Sequence, residues 1–411
     1  MFAPRTTPWP LVALFTAGYL APYLLPTTVG RLDSGLPVSA TQAGAIGSAL
    51  LLSSAAAGFL LASRVDRVGP RTLARIGLVL AVVGYGGAAL SSAVPAVVVG
   101  ALVGGFGSGT ATTVAATGIA AMGVPPREGV RASGSDPHRV TTLGLLCVSA
   151  LAGVVYLTVP HLGPGHGQPL AAIALTALAV WPLTGRLPVR TTAPQTGQHD
   201  DRTPLPHPRS GLVLAATLLC WSLVQNALWG VSGRIGLTQA HLSETTVGAV
   251  FAVALGAGLL GVVGAGAVGP RLGLAVPIGT GTALISACIV LSASATDLTT
   301  FATGEIAWNL LYPVVLSYVI GLAASLDPRG RWAVLVGSAS SLGTAAGPLT
   351  GSLLSAQAGF PVMGVALAAG LLVIAVPMTA VARGTGRRPL PVVEIPVEAP
   401  AQQHAYDTTA A

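Results

Sequence analysis

Lysine is absent from this sequence: all twenty basic residues are arginine, which reads as a codon-bias effect before it reads as chemistry. Charge of either sign is scarce, at 8% of 411 residues, whereas 52% are hydrophobic. Too few polar groups are present to cover a water-soluble surface, which excludes an ordinary soluble domain and places the chain in lipid. Cysteine is rare as well. Cys147, Cys220 and Cys288 each stand alone in an apolar run, which excludes a disulfide framework and any C-x-x-C metal site. No A-x-A-like cleavage site follows the first apolar run, so the N-terminus is expected to be retained.

What is there is a series of long charge-free gaps. A helix needs about 20 apolar residues to cross a bilayer. The gaps Arg5–Arg31, Asp33–Arg64, Arg209–Arg234, Glu244–Arg271 and Arg271–Asp297 each hold one crossing. Those from Arg75 to Arg127, Arg139 to Arg186 and Arg331 to Arg383 are about twice as long as one crossing needs. Each of these three has turn-forming residues near its middle: Ser91 to Pro95, His161 to Pro169, and Gln357 to Pro361. A last crossing, between Asp297 and Asp327, is interrupted by Glu305 alone, so the count is twelve. Threading the loops puts eighteen arginines on one side and only Arg31 and Arg234 on the other. The positive-inside rule then predicts a multi-pass protein of the cytoplasmic membrane with both termini in the cytoplasm. The net charge of +7 reflects this orientation and not a nucleic-acid surface, because the arginines fall in short loops.

The sequence divides at residues 184–210, a proline-, threonine- and charge-rich stretch that reads as a cytoplasmic linker. The expected organisation is a six-helix bundle over 1–183, the linker 184–210, a second six-helix bundle over 211–383 and a disordered cytoplasmic tail over 384–411. The halves echo one another in order: GRL at 30–32 and GRI at 233–235, VSATQAGAI at 38–46 and LSETTVGAV at 242–250, RVGPR at 67–71 and AVGPR at 267–271. Three echoes in the same order point to an internal duplication.

Between the second and third crossings the chain reads A-S-R-V-D-R-V-G-P-R, from Ala62 to Arg71. This resembles the signature loop of the major facilitator superfamily, with Asp66, Arg67, Gly69 and Arg71 matching position for position, Ala62 in place of the first glycine and Pro70 in place of a basic residue. The resemblance implies an all-α membrane protein of twelve transmembrane helices in two pseudo-symmetric bundles, and a secondary transporter working as a monomer by alternating access. It implies that Asp66, Arg67, Gly69 and Arg71 take part in gating. The fourth crossing carries Gly105 to Gly109 in a pattern similar to another family motif, but Ala101 stands where that motif has arginine. The fifth crossing lacks the glycine-proline motif of many drug-exporting antiporters of the family. For most of these glycines close helix packing is the plainer reading.

A charge at membrane depth is costly and marks a substrate or ion site by default. Glu305 is the one acid placed within a crossing. It either carries a coupling proton, pairs with a cationic substrate, or lies near the outer mouth in water, since Asp297 is only about two helical turns away. Glu305, Asn309 and Tyr312 share a helical stripe with Trp308 beside it, Trp221, Gln225 and Trp229 form another with Asn226 adjacent, and Phe15, Tyr19 and Tyr23 a third. These are the first, seventh and tenth crossings, three of the four that line the cavity in the family. Tyr19, Tyr23, Gln225, Asn226, Trp229, Trp308, Asn309 and Tyr312 are the expected substrate contacts and Glu305 the expected proton site. The alternative for each amide and phenol is hydrogen-bonded glue between helices.

The aromatic lining and the lack of a mid-membrane arginine suggest a small, largely hydrophobic substrate, exported in exchange for protons. Import of a sugar or small organic solute is the alternative. A polytopic membrane enzyme is disfavoured: His161 and His166 have no carboxylate near them in sequence, and no nucleophile motif appears. A transport-dead receptor stays open. No cofactor and no metal are expected.

Overall fold

The computed structural model describes residues 9–122, 137–189, 204–268, 272–327 and 330–386. Helix α1 is a bent pair, Trp9–Tyr23 and Leu25–Gly35, with 48° between its pieces. Pro22 and Pro26, one turn apart, each remove an amide donor and put a ring against the preceding turn, which accounts for the bend. Helix α2 (Ala40–Leu61) starts on a capping box in which the Ser39 hydroxyl accepts from the Gln42 amide and the Gln42 side chain accepts from the Ser39 amide. Then follow α3 (Pro70–Leu90), α4 (Val94–Met122), α5 (Pro137–Thr158), α6 (Gly167–Val180), α7 (Pro208–Arg234), α8 (Glu244–Val268), α9 (Ala275–Ala293) and α10 (Leu298–Leu326).

The last helical stretch, Arg331–Gly386, is 56 residues long. A straight helix of that length would run about 84 Å, far more than the roughly 30 Å of a hydrocarbon core. It breaks at Gly359, where φ is 78° and ψ is 165°, values that glycine adopts without steric cost. We refer to its two parts as α11 (331–358) and α12 (360–386). Among the described residues ten helices are long and apolar enough to cross a membrane and the bent α1 makes an eleventh. Division of the longest at Gly359 accounts for the expected twelve.

Helices α1 to α6 pack mainly among themselves, through α3 on α4, α2 on α4, α1 on α4 and α5, and α3 on α6. The second set packs through α7 on α11, α8 on α10, and α9 on α10 and α12. Three main pairs join the sets: α2 with α11 and α5 with α8, which exchange when each helix is replaced by its counterpart six places along, and α1 with α7, which maps onto itself. That exchange is the pseudo-two-fold relation expected from the sequence echoes. Odd-numbered helices run away from the face where α1 begins and α12 ends, here the terminal face, towards the opposite face.

Small residues set the packing distance. A Cβ on Gly105 or Gly109 would strike the backbone of Leu50 or Ser54 on α2, so the glycines of α4 serve close packing. The linker residues 190–203, the tail from 387, residues 123–136 and residues 269–271 of the second copy of the loop motif (267–271) lie outside the described residues.

Candidate functional site

Glu305 lies on the second turn of α10 and is wholly buried, whereas Asp297, just before the helix, is exposed. The water-solvated alternative for Glu305 is thereby removed. Its Oε1 accepts from the hydroxyls of Ser232 on α7, at 2.8 Å, and Ser292 on α9, at 2.5 Å. Its Oε2 has no hydrogen-bond partner among the described residues. The carboxyl group is therefore enclosed between three helices of the second bundle. Neither serine stood out in the sequence, although Ser232 extends the Trp221, Gln225, Trp229 stripe by three residues and so faces the same way. Ser292 sits among other serines and carries no signal of its own.

Further along α7 and α10 from this acid, the aromatic residues of the two helices pair. Trp229 and Trp308 have ring centroids 5.5 Å apart, Trp308 and Tyr312 5.9 Å apart, and Trp221 stacks on Tyr312 at 5.0 Å. The Trp308 indole donates to the side-chain oxygen of Gln225, which fixes the orientation of that amide. The Gln225 amide nitrogen, like the Trp221 indole nitrogen, is buried and has no hydrogen-bond partner among the described residues. Asn309 spans one turn of its own helix by donating to the Glu305 carbonyl at 3.0 Å. Asn226 turns instead to α11, donating to Thr344 at 3.3 Å and to the Ser222 carbonyl at 2.9 Å, while Ser222 pairs with Ser340. Its amide joins helices in this structure.

From the first bundle, Tyr19 stacks on Phe15 with centroids 4.4 Å apart and is more exposed than most aromatic rings of the chain. Tyr19 and Tyr23 lie in the neighbourhood of Tyr312 of α10. Tyr23 also gives its carbonyl to the Tyr156 hydroxyl at 2.6 Å, and the Trp229 indole donates to the Pro22 carbonyl of α1 at 3.1 Å. The aromatic residues expected on the first, seventh and tenth crossings thus lie side by side, with Gln225 among them and the Asn226 amide turned away to α11. The group offers flat apolar area and a few hydrogen-bonding atoms, the usual composition of a small-molecule pocket.

The loop motif lies at the terminal face. Gly69 has a φ of 94°, and a Cβ there would strike the Val189 carbonyl. Arg71 donates to the Leu187 carbonyl at 2.9 Å, Arg75 to the Thr184 hydroxyl at 3.2 Å, and the Arg75 guanidinium lies over the Trp181 ring. Asp66 and Arg67 are exposed. Gly69 and Arg71 thus hold the segment that leaves α6. No group of His, Cys, Asp or Glu suited to a metal ion occurs among the described residues.

The family model of the Major Facilitator Superfamily matches residues 5–326 of the chain. A search of curated proteins gives no match. Among solved structures, a D-xylose–proton symporter aligns with a TM-score of 0.72 at 15% identity, over 93% of this chain and 98% of the other. A bacterial homologue of the human lysosomal transporter Spinster, solved inward-facing and unoccupied, aligns at 0.70 and 14%, over 95% and 100%. The nucleoside transporter NupG aligns at 0.69 and 15%, over 91% and 99%. At such identities these structures share the fold.

Proposed function

Because the chain belongs to the Major Facilitator Superfamily, and is therefore a multi-pass membrane transporter and not an enzyme, we propose that it moves a small, largely hydrophobic molecule by proton-coupled alternating access. In this reading the two bundles, 1–183 and 211–383, rock about the central aromatic group, and the protein works as a monomer in the cytoplasmic membrane with its termini inside. The observation that carries the reading is Glu305. An ionisable acid at membrane depth is retained at a cost, and this one is enclosed by two serine hydroxyls within one bundle and one turn from Trp308 and Asn309. That position suits a group that takes a proton from one face and yields it to the other better than one that pairs with a cationic substrate. The substrate lies against Tyr19, Tyr23, Trp308 and Tyr312, with Gln225, Asn309, Asn226 and Trp229 behind them or beside them. The loop motif of Asp66, Arg67, Gly69 and Arg71 works the terminal-face gate.

The aromatic lining favours efflux of an apolar compound. Reconstituted vesicles holding a pH-sensitive dye, screened with apolar drugs, sugars and nucleosides under a pH gradient, test this. Apolar compounds should collapse the gradient with the sign of antiport; collapse by a sugar with the opposite sign would replace efflux by import.

A further inference from the structure

The contacts between the bundles gather towards the face opposite the termini. Ser48 of α2 accepts from the Leu349 amide of α11, Trp229 of α7 donates to Pro22 of α1, and Gly233 packs on the Pro26 carbonyl. Gly248 of α8 lies against the Tyr156 carbonyl of α5. All of these residues except Pro22, which stands midway along α1, belong to the half of their helix nearer that face, so the seam is sealed there. At its rim stand four charged side chains, two from each bundle. Arg31 Nε donates to Glu244 Oε1 at 2.6 Å, and Arg234 Nε lies 3.3 Å from Asp33 Oδ2. Arg31 and Arg234 hold matching places in the two halves, and each reaches an acid of the other half.

An ion pair inside one bundle stiffens that bundle whatever the bundles do. A pair across the seam exists only while the seam is shut. We propose that Arg31–Glu244 and Arg234–Asp33 form the ionic gate of the face opposite the termini. The proposal rests on the alternating-access reading above and adds residues that the loop motif does not include.

The two pairs are unequal, and the difference identifies the moving part. Arg31 is 5% exposed and has four more acceptors, all in its own bundle: the carbonyls of Val159, Gly163 and Gly165, and the Gln168 side chain. These remain with it when the bundles separate. Glu244, in the first turn of α8 and with its side chain 38% exposed, is the part that leaves. Opening costs Arg31 one charge-assisted bond, and water takes up the freed carboxylate at the favourable N-terminal end of its helix. Arg234 is held more loosely. One of its terminal nitrogens has no hydrogen-bond partner among the described residues, and its guanidinium rests over the Phe360 ring of its own bundle. Beside the first pair a cavity of about 190 Å³ is lined by Thr27, Arg31, Tyr156, Gly233, Glu244 and Phe251, residues of both bundles. Close packing therefore does not complete the seal here, and the charges take a share of it.

The test is a distance measurement across the seam. Spin labels are placed at His161→Cys and Thr299→Cys, two exposed positions at that face, one in each bundle, in a background with Cys147, Cys220 and Cys288 replaced by serine. Pulsed electron double resonance in lipid nanodiscs then reads the open-to-closed ratio. Glu244→Gln should raise that ratio about fivefold and Asp33→Asn about twofold, the range for partly exposed pairs. Together they should give about tenfold, because the pairs are separate. The swap Asp33→Arg with Arg234→Asp should return the ratio towards that of the parent, which a general loss of folding would not do. An unchanged distribution in both neutral variants, or a swap that opens the seam further than Asp33→Asn alone, overturns the gate. Transport measured on the same variants separates the two readings: transport with an unmoved distribution keeps the transporter and removes the gate, whereas charge-dependent opening without proton-coupled transport keeps the gate and removes the coupling.

Discussion

Gly248 and Gly256 stand two turns apart on α8, and their surroundings differ. A Cβ on Gly248 would strike the backbone carbonyl of Tyr156 on α5, whereas a Cβ on Gly256 would meet nothing. Alanine at either position gains about 0.8–1.0 kcal/mol of helix propensity, so that contribution cancels between them. The remainder is the overpacking cost at the α5–α8 seam, about 1–3 kcal/mol, borne only while the seam is closed. Gly248→Ala should therefore lower the closed-to-open ratio by about 5- to 150-fold relative to Gly256→Ala, at tenfold per 1.4 kcal/mol. A cysteine at Thr27, which lines the cavity in the seam, reports the change through its labelling rate with a membrane-impermeant maleimide, the native cysteines being replaced by serine. The Gly248→Ala protein should label at least fivefold faster from the face opposite the termini, and the Gly256→Ala protein at the parent rate. Equal rates in two folded variants would refute the reasoning, because the backbone contact would then carry no state dependence.

Two further predictions concern the second bundle. Ser232→Ala and Ser292→Ala should each slow proton-coupled transport by roughly 10- to 100-fold, as expected for loss of a hydrogen bond to a charged or ionising group. The double variant should fall well short of the product, since both hydroxyls meet the same Glu305 oxygen; multiplicative losses in uptake assays would place the serines in separate roles. Asp297 caps α10 by accepting from the Thr300 amide at 3.0 Å, and that bond holds its carboxyl below the usual range. A lowered folded-state pKa means that the cap contributes above the unfolded value and is lost as pH falls through the folded one. Thermal melts of the parent should therefore decline relative to Asp297→Asn below about pH 4, and parallel pH profiles would contradict the cap.

Much of the fold was legible because lipid imposes a simple rule, that charge-free runs of sufficient length become helices. The turn at Gln357 to Pro361 reappears as the break at Gly359, whereas the bend of α1 at Pro22 and Pro26 was not anticipated. Duplication was legible too, in the matching places of Arg31 and Arg234. Their partners were not, since Asp33 and Glu244 lie across the seam and only the packing of one bundle on the other brings them together. The same holds within the site. A stripe shows which side of a helix is polar, but not which neighbour it meets, so Asn226 and Gln225 read alike although one amide joins α7 to α11 and the other is fixed by Trp308. The serines on Glu305 stayed hidden because hydroxyls are common in these helices, where most of them bond to their own backbone one turn back.

The central claim is that Glu305 couples a proton to substrate movement, and counterflow beside net uptake in proteoliposomes tests it most directly. With Glu305→Gln the account predicts that exchange of labelled for unlabelled substrate continues, because the aromatic group and both gates are intact, while accumulation driven by a pH gradient disappears. If gradient-driven accumulation survives the substitution, Glu305 is not the coupling acid and the account is contradicted.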